Sequence, residues 1–334
     1  MSEPLRTAVV GTGFLGTLLG RMVDRATDAE LVAIAEISSE NRAAAGEALG
    51  VPGAARYAEY ETMLEEAELD AVVLATPHAF HYDQTVAALD RGLHVLCEKP
   101  LATNLADARD LVERSESGEQ VLQVGYQRHT AAPYVVARDH LDSFENVTFV
   151  TASITQNWID DKRDTWRADP DLSGGGQLYD TGSHVIDVVL WASGLTPTAV
   201  DASMVFWDEA DRVDTQAALN VEFAEDAVAS ISVSGDTPQV REHLHFWGDD
   251  GAVYVEGRDW NERQVRTVAP DGAERYPPVH TEEVPANKVE AFVAAVRDGT
   301  EPPATARHAY AVTAVTEAAY ESARTGRRVE IDTL

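Results

Sequence analysis

Cysteine occurs once in the 334 residues, at Cys97, so no internal disulfide can form, and no neighbouring Cys or His gives it zinc-site spacing. A small buried core residue is the expected fate of that thiol. Lysine is almost as scarce: Lys99, Lys162 and Lys288 are the only three among 26 basic residues. Acidic residues number 57, for a formal net charge of −31. Such a field repels phosphate backbones and anionic lipid, which excludes nucleic acid and membrane surfaces as expected partners. An Asp- and Glu-rich surface with so little Lys points to adaptation to concentrated salt. Molar salt shortens the Debye length to about 3 Å and screens the self-repulsion. No window approaches the roughly 18 successive apolar residues of a membrane span. Met1 to Arg6 run straight into an apolar strand pattern, without the charged and apolar regions of a secretory leader. A cytoplasmic protein is expected.

The length suits two domains with a cleft between them. Apolar runs at Leu5 to Val10, Leu31 to Ala35, Ala71 to Ala75, His94 to Cys97 and Val121 to Val124 read as strands. Between them, Leu15 to Arg25, Asn41 to Leu49, Tyr60 to Ala67, Tyr82 to Arg91 and Leu105 to Glu116 have helical spacing. This alternation predicts a parallel sheet covered on both faces, a doubly wound Rossmann domain over residues 1–125. The first strand ends in Gly11-Thr12-Gly13-Phe14-Leu15-Gly16, the G-x-G-x-x-G fingerprint that opens a helix. Gly11 permits the tight turn, Gly13 lets a pyrophosphate approach the backbone, and Gly16 allows close helix packing. Glu36, some twenty residues on, ends the second strand and is placed to accept hydrogen bonds from ribose hydroxyls. Its carboxylate opposes a 2′-phosphate, so NAD is favoured. Arg42 falls in the next helix, too remote to neutralise Glu36 with certainty, which leaves NADP open as the alternative.

Further along stand Thr76-Pro77-His78-Ala79-Phe80-His81, then His94 to Ala102 with Glu98-Lys99-Pro100, then Gly174-Gly175-Gly176 and Asp180-Thr181-Gly182-Ser183-His184 with Asp187 following. In order and spacing, these and the segment from Ala319 to Val329 resemble the Gfo/Idh/MocA family of oxidoreductases over nearly the whole chain. The resemblance implies a second α/β domain, residues 126–334, with a large, open, mainly antiparallel sheet for substrate binding and oligomerisation. Alternation of Ala217, Leu219, Val221 and Phe223 with Ala218, Asn220 and Glu222 independently predicts a strand with one packed face. The resemblance also implies a homodimer or homotetramer, and a cis Lys99-Pro100 bond.

Hydride transfer leaves one proton to manage, so an acid/base and a polarising charge are needed. Lys99 stands at the carboxyl edge of the sheet, where ligands bind, and the resemblance makes it the catalytic lysine. Asp180 and His184, four apart, project from one helical face. His184 is the expected general base, with an ordinary pKa near 6.5, and Asp180 the orienting acid; Asp187 reads as structural. Candidate dinucleotide contacts are Gly11, Gly13, Phe14, Leu15, Gly16, Glu36, Thr76, Pro77, His78, His81, Glu98 and Lys99; for His78 and His81 a turn-capping role is the alternative. Candidate substrate contacts are Lys99, Gln127, Arg128, Trp166, Asp180 and His184. Trp158 and Trp166 could stack on a sugar ring or simply pack. Gly125 to His129 resembles a family element with two adjacent arginines, one of them replaced here by His129; a structural hinge is the alternative for this stretch. His243 and His245 share a strand face without Cys or carboxylate at metal spacing, so no metal is expected. The reading is an NAD(P)-dependent oxidoreductase acting on a sugar, inositol or related polyol. A redox-neutral NAD-dependent glycosidase and a non-catalytic sugar-sensing regulator are the competitors.

Overall fold

Four-residue runs such as Ala-Val-Val-Leu at 71–74 are buried at every position, as strands must be when both sheet faces are covered. The computed structural model describes residues 3–261, 263–280 and 284–334. Its chain divides into two compact units, Met1–Ala102 with Ala106–Gln127 and Pro285–Ala306, and Thr103–Leu105 with Arg128–Val284 and Arg307–Leu334.

The first unit holds β1 (Leu5–Val10), β2 (Ala29–Ala35), β3 (Arg56–Tyr57), β4 (Ala71–Leu74), β5 (His94–Cys97) and β6 (Leu122–Val124). All pairings are parallel, in the order β3-β2-β1-β4-β5-β6, the doubly wound dinucleotide order. Helices follow the expected segments: Phe14–Arg25, Ser39–Ala48, Tyr60–Glu66, His81–Leu89 and Leu105–Ser117. The short β3 carries too few apolar residues to signal itself in sequence. Cys97 is buried, which pushes its thiol up to about 12.

One segment departs from the expected division at residue 125. The helix Lys288–Asp298 packs Val289, Phe292 and Val293 into the core made by Leu5, Val9, Leu19, Val73 and Leu96. Its apolar stripe at i, i+3, i+4 is the signature of a helix with one packed face, but nothing local says which sheet receives it. Asn287 caps its start, accepting from the N–H groups of Val289 and Glu290. Beyond it, the Val124 N–H donates to Ala304 O (2.9 Å), so the returning chain also fastens β6.

The second unit is built on β7 (Val147–Thr155), β8 (Pro197–Phe206), β9 (Asp214–Phe223), β10 (Val228–Ser234), β11 (Arg241–Gly248), β12 (Gly251–Arg258), β13 (Gln264–Val268), β14 (Glu274–Arg275) and β15 (Val329–Glu330). The order is β14-β13-β12-β11-β7-β10-β9-β8-β15, antiparallel except for the β7–β10 pair. In β9, Ala217, Leu219, Val221 and Phe223 are buried and their alternates exposed. Leu219, Val221 and Phe223 each contribute roughly 1.5–3 kcal/mol on full burial, and Ala217 less.

The stretch expected to be plain α-helix from Asp180 opens instead as a π-helical turn, Leu178–Gly182, before the α-helix Ser183–Ser193. A tertiary anchor accompanies it. The buried Asp214 carboxylate accepts from the N–H groups of Gly176 (3.2 Å) and Leu178 (3.0 Å) and from the Tyr320 hydroxyl. Gly176 lies so close that a Cβ there would sit 2.1 Å from Asp214 O. Such turns are invisible to residue spacing and recur at functional sites.

Burial pushes Asp214 up to about 6, against the pull of these donors. The unfolded chain ionises near pH 3.9, so the folded state holds its proton more tightly. Stability from this group is therefore full below about pH 4 and lost as pH rises through 6. The difference in unfolding free energy between wild type and Asp214→Asn should fall by roughly 1–3 kcal/mol from pH 4 to pH 6.5. Denaturant titrations across that range check it, and a flat difference would contradict it.

Candidate active site

In the first unit the candidate residues gather at the carboxyl ends of β1, β2, β4 and β5, four neighbours in the sheet. Gly11 adopts φ +81°, and a Cβ there would meet Ala75 O at 2.8 Å; at Gly16 it would meet Gly11 O at 1.9 Å. At Gly13 it would meet nothing within 4 Å. Two glycines are thus fixed by close packing, while the third leaves the backbone open to a ligand. Phe14, 91% exposed, starts the helix whose N-terminal N–H groups favour an anion. Leu15 packs against the core instead. A dinucleotide pyrophosphate fits this cradle.

Glu36 accepts from the Ser38 N–H at 2.9 Å. Arg42 does lie in the following helix, yet its Nη1 donates to Glu36 O at 2.5 Å. Its guanidinium is therefore held at the backbone of Glu36 and Ile37, closer than the sequence separation implied.

At the next loop, the Thr76 hydroxyl donates to Gln84 Oε1 (2.6 Å) and Pro77 leads into a short 3₁₀ turn, His78–Phe80. His78 is buried, and His81 is 0% exposed with both ring nitrogens on backbone carbonyls. The geometry gives His81 no surface for a dinucleotide, which corrects the expectation of a direct contact. Glu98 is corrected likewise. Its buried carboxylate is paired with the Lys288 ammonium, which also donates to Gly125 O at 3.2 Å. Lys99 follows, half-buried, and its bond to Pro100 is cis.

In the second unit Asp180 receives the Trp158 Nε1–H at 2.8 Å and lies 3.3 Å from Arg167 Nε. Trp158 is 1% exposed. It supports the acid and has no face for a sugar. Trp166 is half-buried, with the Arg167 guanidinium 4.4 Å from its ring centroid. Arg167 was not anticipated; a lone Arg beside a Trp in a loop carries no sequence signal. His184 is buried at the second position of the α-helix Ser183–Ser193.

Gln127 is exposed, but Arg128 is buried and its guanidinium is paired with Glu242 on β11. Arg263 Nε, at 2.5 Å, and the Tyr134 hydroxyl, at 2.6 Å, complete the shell around that carboxylate. The substrate contact expected of Arg128 is thereby replaced by an internal ion pair. Burial opposes ionisation of Glu242, but Arg128 and Arg263 prevail and hold it below the usual carboxylate range.

The replacement of an arginine by His129 is also explained. His129 Nε2 and His308 Nε2 each lie 2.8 Å from the same Asp187 oxygen, and the His129 ring stacks on Trp191 at 4.3 Å. These are hydrogen-bond lengths, with both imidazoles donating. Burial would raise Asp187; the two histidines outweigh it and hold the acid well below its ordinary range. Asp187 thus ties its helix, the one carrying His184, to two other segments. His308 lies 121 residues from Asp187, and no spacing rule reaches that far.

The first unit matches the description "Oxidoreductase family, NAD-binding Rossmann fold" over residues 5–126, and the second the GFO/IDH/MocA C-terminal domain over residues 142–254. An NADP-dependent D-xylose 1-dehydrogenase of Haloferax volcanii is 31% identical over 97% of this chain and 99% of its own. The chain belongs to the Gfo/Idh/MocA oxidoreductase family. A second NADP-dependent D-xylose 1-dehydrogenase, from Haloarcula marismortui, is 26% identical over 99% and 94% of the two chains. Both relatives are haloarchaeal, in line with the salt adaptation read from composition. Among solved structures, an aldose-aldose oxidoreductase of Caulobacter crescentus shares the fold with a TM-score of 0.85 at 23% identity, covering 98% of this chain and 100% of that one. Among the described residues no helix is long and apolar enough to cross a membrane.

Glu242 is the shared counter-charge of two buried arginines. Glu242→Gln should cost about 3 kcal/mol, the scale for breaking a buried pair, whereas Tyr134→Phe should cost about 1 kcal/mol. Chemical unfolding at neutral pH measures both, and near-equal losses would contradict the assignment.

Proposed function

We propose that the chain is an NAD(P)-dependent dehydrogenase of an aldose or related polyol, with Lys99, His184 and Asp180 as its catalytic groups. The observation that carries this reading is the glycine cradle at the end of β1 with Lys99 at the end of β5, on one carboxyl edge. When bound, the nicotinamide accepts or supplies the hydride. Gly11, Gly13 and Gly16 with the helix Phe14–Arg25 hold its pyrophosphate, and Glu36 its adenosine ribose. Arg42 beside Glu36 offers a cation to a 2′-phosphate, so both dinucleotides are accepted. The NADP-dependence of the haloarchaeal relatives supports this, and their names support a pentose such as D-xylose as substrate.

Lys99 donates a hydrogen bond to the reacting oxygen and favours its alkoxide form. His184 takes the hydroxyl proton during oxidation and returns it during reduction. Asp180, steadied by Trp158 and Arg167, accepts from a substrate hydroxyl and fixes its orientation. Trp166 offers an apolar ring face to the sugar.

A second copy of the chain is the partner we infer for the sheet of the second unit. Register puts Phe149, Thr151, Ser153, Val228, Ser230, Ser232, Ala218 and Trp247 on one side of β7, β9, β10 and β11. The same side carries Asn220, Glu222, His243 and His245, with Phe149 and Val228 exposed at one end, and we infer that it packs against the sheet of the second copy. Light scattering at micromolar concentration should report a dimer or tetramer; a monomer would defeat the inference.

The activity itself is tested by following reduced-dinucleotide absorbance at high KCl, offering NAD and NADP with aldoses, inositols and sugar acids. D-xylose or a close aldose should be turned over, and Lys99→Ala should lower kcat by about 10²- to 10⁴-fold. Silence across the panel with dinucleotide binding intact would overturn the reading in favour of the redox-neutral glycosidase or the sensor.

A further inference from the structure

The loops that follow β4 and β5 meet at one imidazole. His81 opens the helix His81–Leu89, entirely buried, with Nδ1 2.7 Å from Pro100 O and Nε2 3.0 Å from Thr76 O. Both partners are backbone acceptors. Either neutral tautomer donates to one of them, and the imidazolium donates to both. The same helix grips Thr76 a second time, since the Thr76 hydroxyl donates to Gln84 Oε1 at 2.6 Å. The helix is itself fixed from outside: the Tyr60 hydroxyl donates to Gln84 O at 2.8 Å. Pro100 is the residue directly after Lys99.

We propose that His81 is a positioning residue for hydride transfer: it pins the backbone of Thr76, in the dinucleotide loop, to that of Pro100, and so registers Lys99 against the bound nicotinamide. The proposal rests on the catalytic reading of Lys99 given above. A ring is suited to the task because its two nitrogens face opposite ways, and one rigid group spans two carbonyls from different loops. An aliphatic residue of similar size fills the space but removes the ring N–H donated to one of these carbonyls. The two loops then relax independently, and a displacement near 1 Å at a reacting group costs about a hundred-fold in rate.

The test compares His81→Leu, His81→Asn and His81→Gln with wild type and Lys99→Ala, all at high KCl and well below each variant's unfolding temperature. Measured quantities are kcat, KM for the sugar, and dinucleotide affinity by fluorescence titration. His81→Leu should lower kcat by about 10- to 100-fold, with sugar KM and dinucleotide affinity within about three-fold. His81→Gln, whose amide supplies two N–H donors, should recover most of that loss, and His81→Asn, too short to reach both carbonyls, should fall between. A leucine variant that is less heat-stable but keeps kcat within about two-fold would show a merely structural role and overturn the proposal. Should the leucine variant fail to fold, the asparagine variant is judged by the same criterion. If Lys99→Ala retains kcat, the catalytic reading itself fails and the proposal with it; if it loses kcat while every folded His81 variant keeps it, only the proposal fails.

Discussion

The ion pair between Glu98 and Lys288 governs how the carboxyl edge of the parallel sheet is built. Taking either charge out of water alone costs several kcal/mol, so neither the end of β5 nor the start of the helix Lys288–Asp298 can be placed without the other. Gly125, after β6, is drawn into the same contact. Its carbonyl accepts from Lys288, and a Cβ on it would lie 2.8 Å from the Glu98 carboxylate. Three segments far apart in sequence therefore converge on the residue immediately before Lys99. One of only three lysines in the chain is spent fixing the position of another.

The second unit uses the same physics with other partners. Asp214, Asp187 and Glu242 are buried acids, and each is surrounded by donors that place something: Gly176 and Leu178 at the entry to the π turn, the helix carrying His184, and the 3₁₀ turn carrying Arg128. A strongly acidic chain in concentrated salt faces two separate problems. Exposed carboxylates are screened by the solvent. Those inside receive no such help, and the tyrosines, histidines and arginines gathered around them supply it.

Much of this was legible in the residues. Period-2 alternation in β9, the fully apolar β4 and the G-x-G-x-x-G turn each follow from local rules, and each stands where those rules put it. Side chains whose partners lie far away were read less well. Arg128 looked like a substrate ligand because nothing local reveals Glu242, more than a hundred residues on. His81 looked like a dinucleotide contact because it sits in the right loop; that its ring turns inward depends on Pro100, in a different loop. The π turn was missed because Asp180 and His184 are four apart in sequence whatever the local pitch. Trp158 could be read as stacking or packing, and only burial decides between them.

The return of residues 285–306 to the first unit bears on how the chain is made. Translation delivers the whole parallel sheet by residue 127, yet Val289, Phe292, Val293 and the Lys288 counter-charge are still unmade. At ~5–20 residues per second, the nascent nucleotide fold waits roughly ten to thirty seconds with one face uncovered and Glu98 unpaired. During that interval eight of the nine strands of the other sheet emerge, β15 following only at residues 329–330. The half that begins the chain is thus closed only after most of the other half, up to Val284, has been made, and that other half waits in turn for residues 307–334.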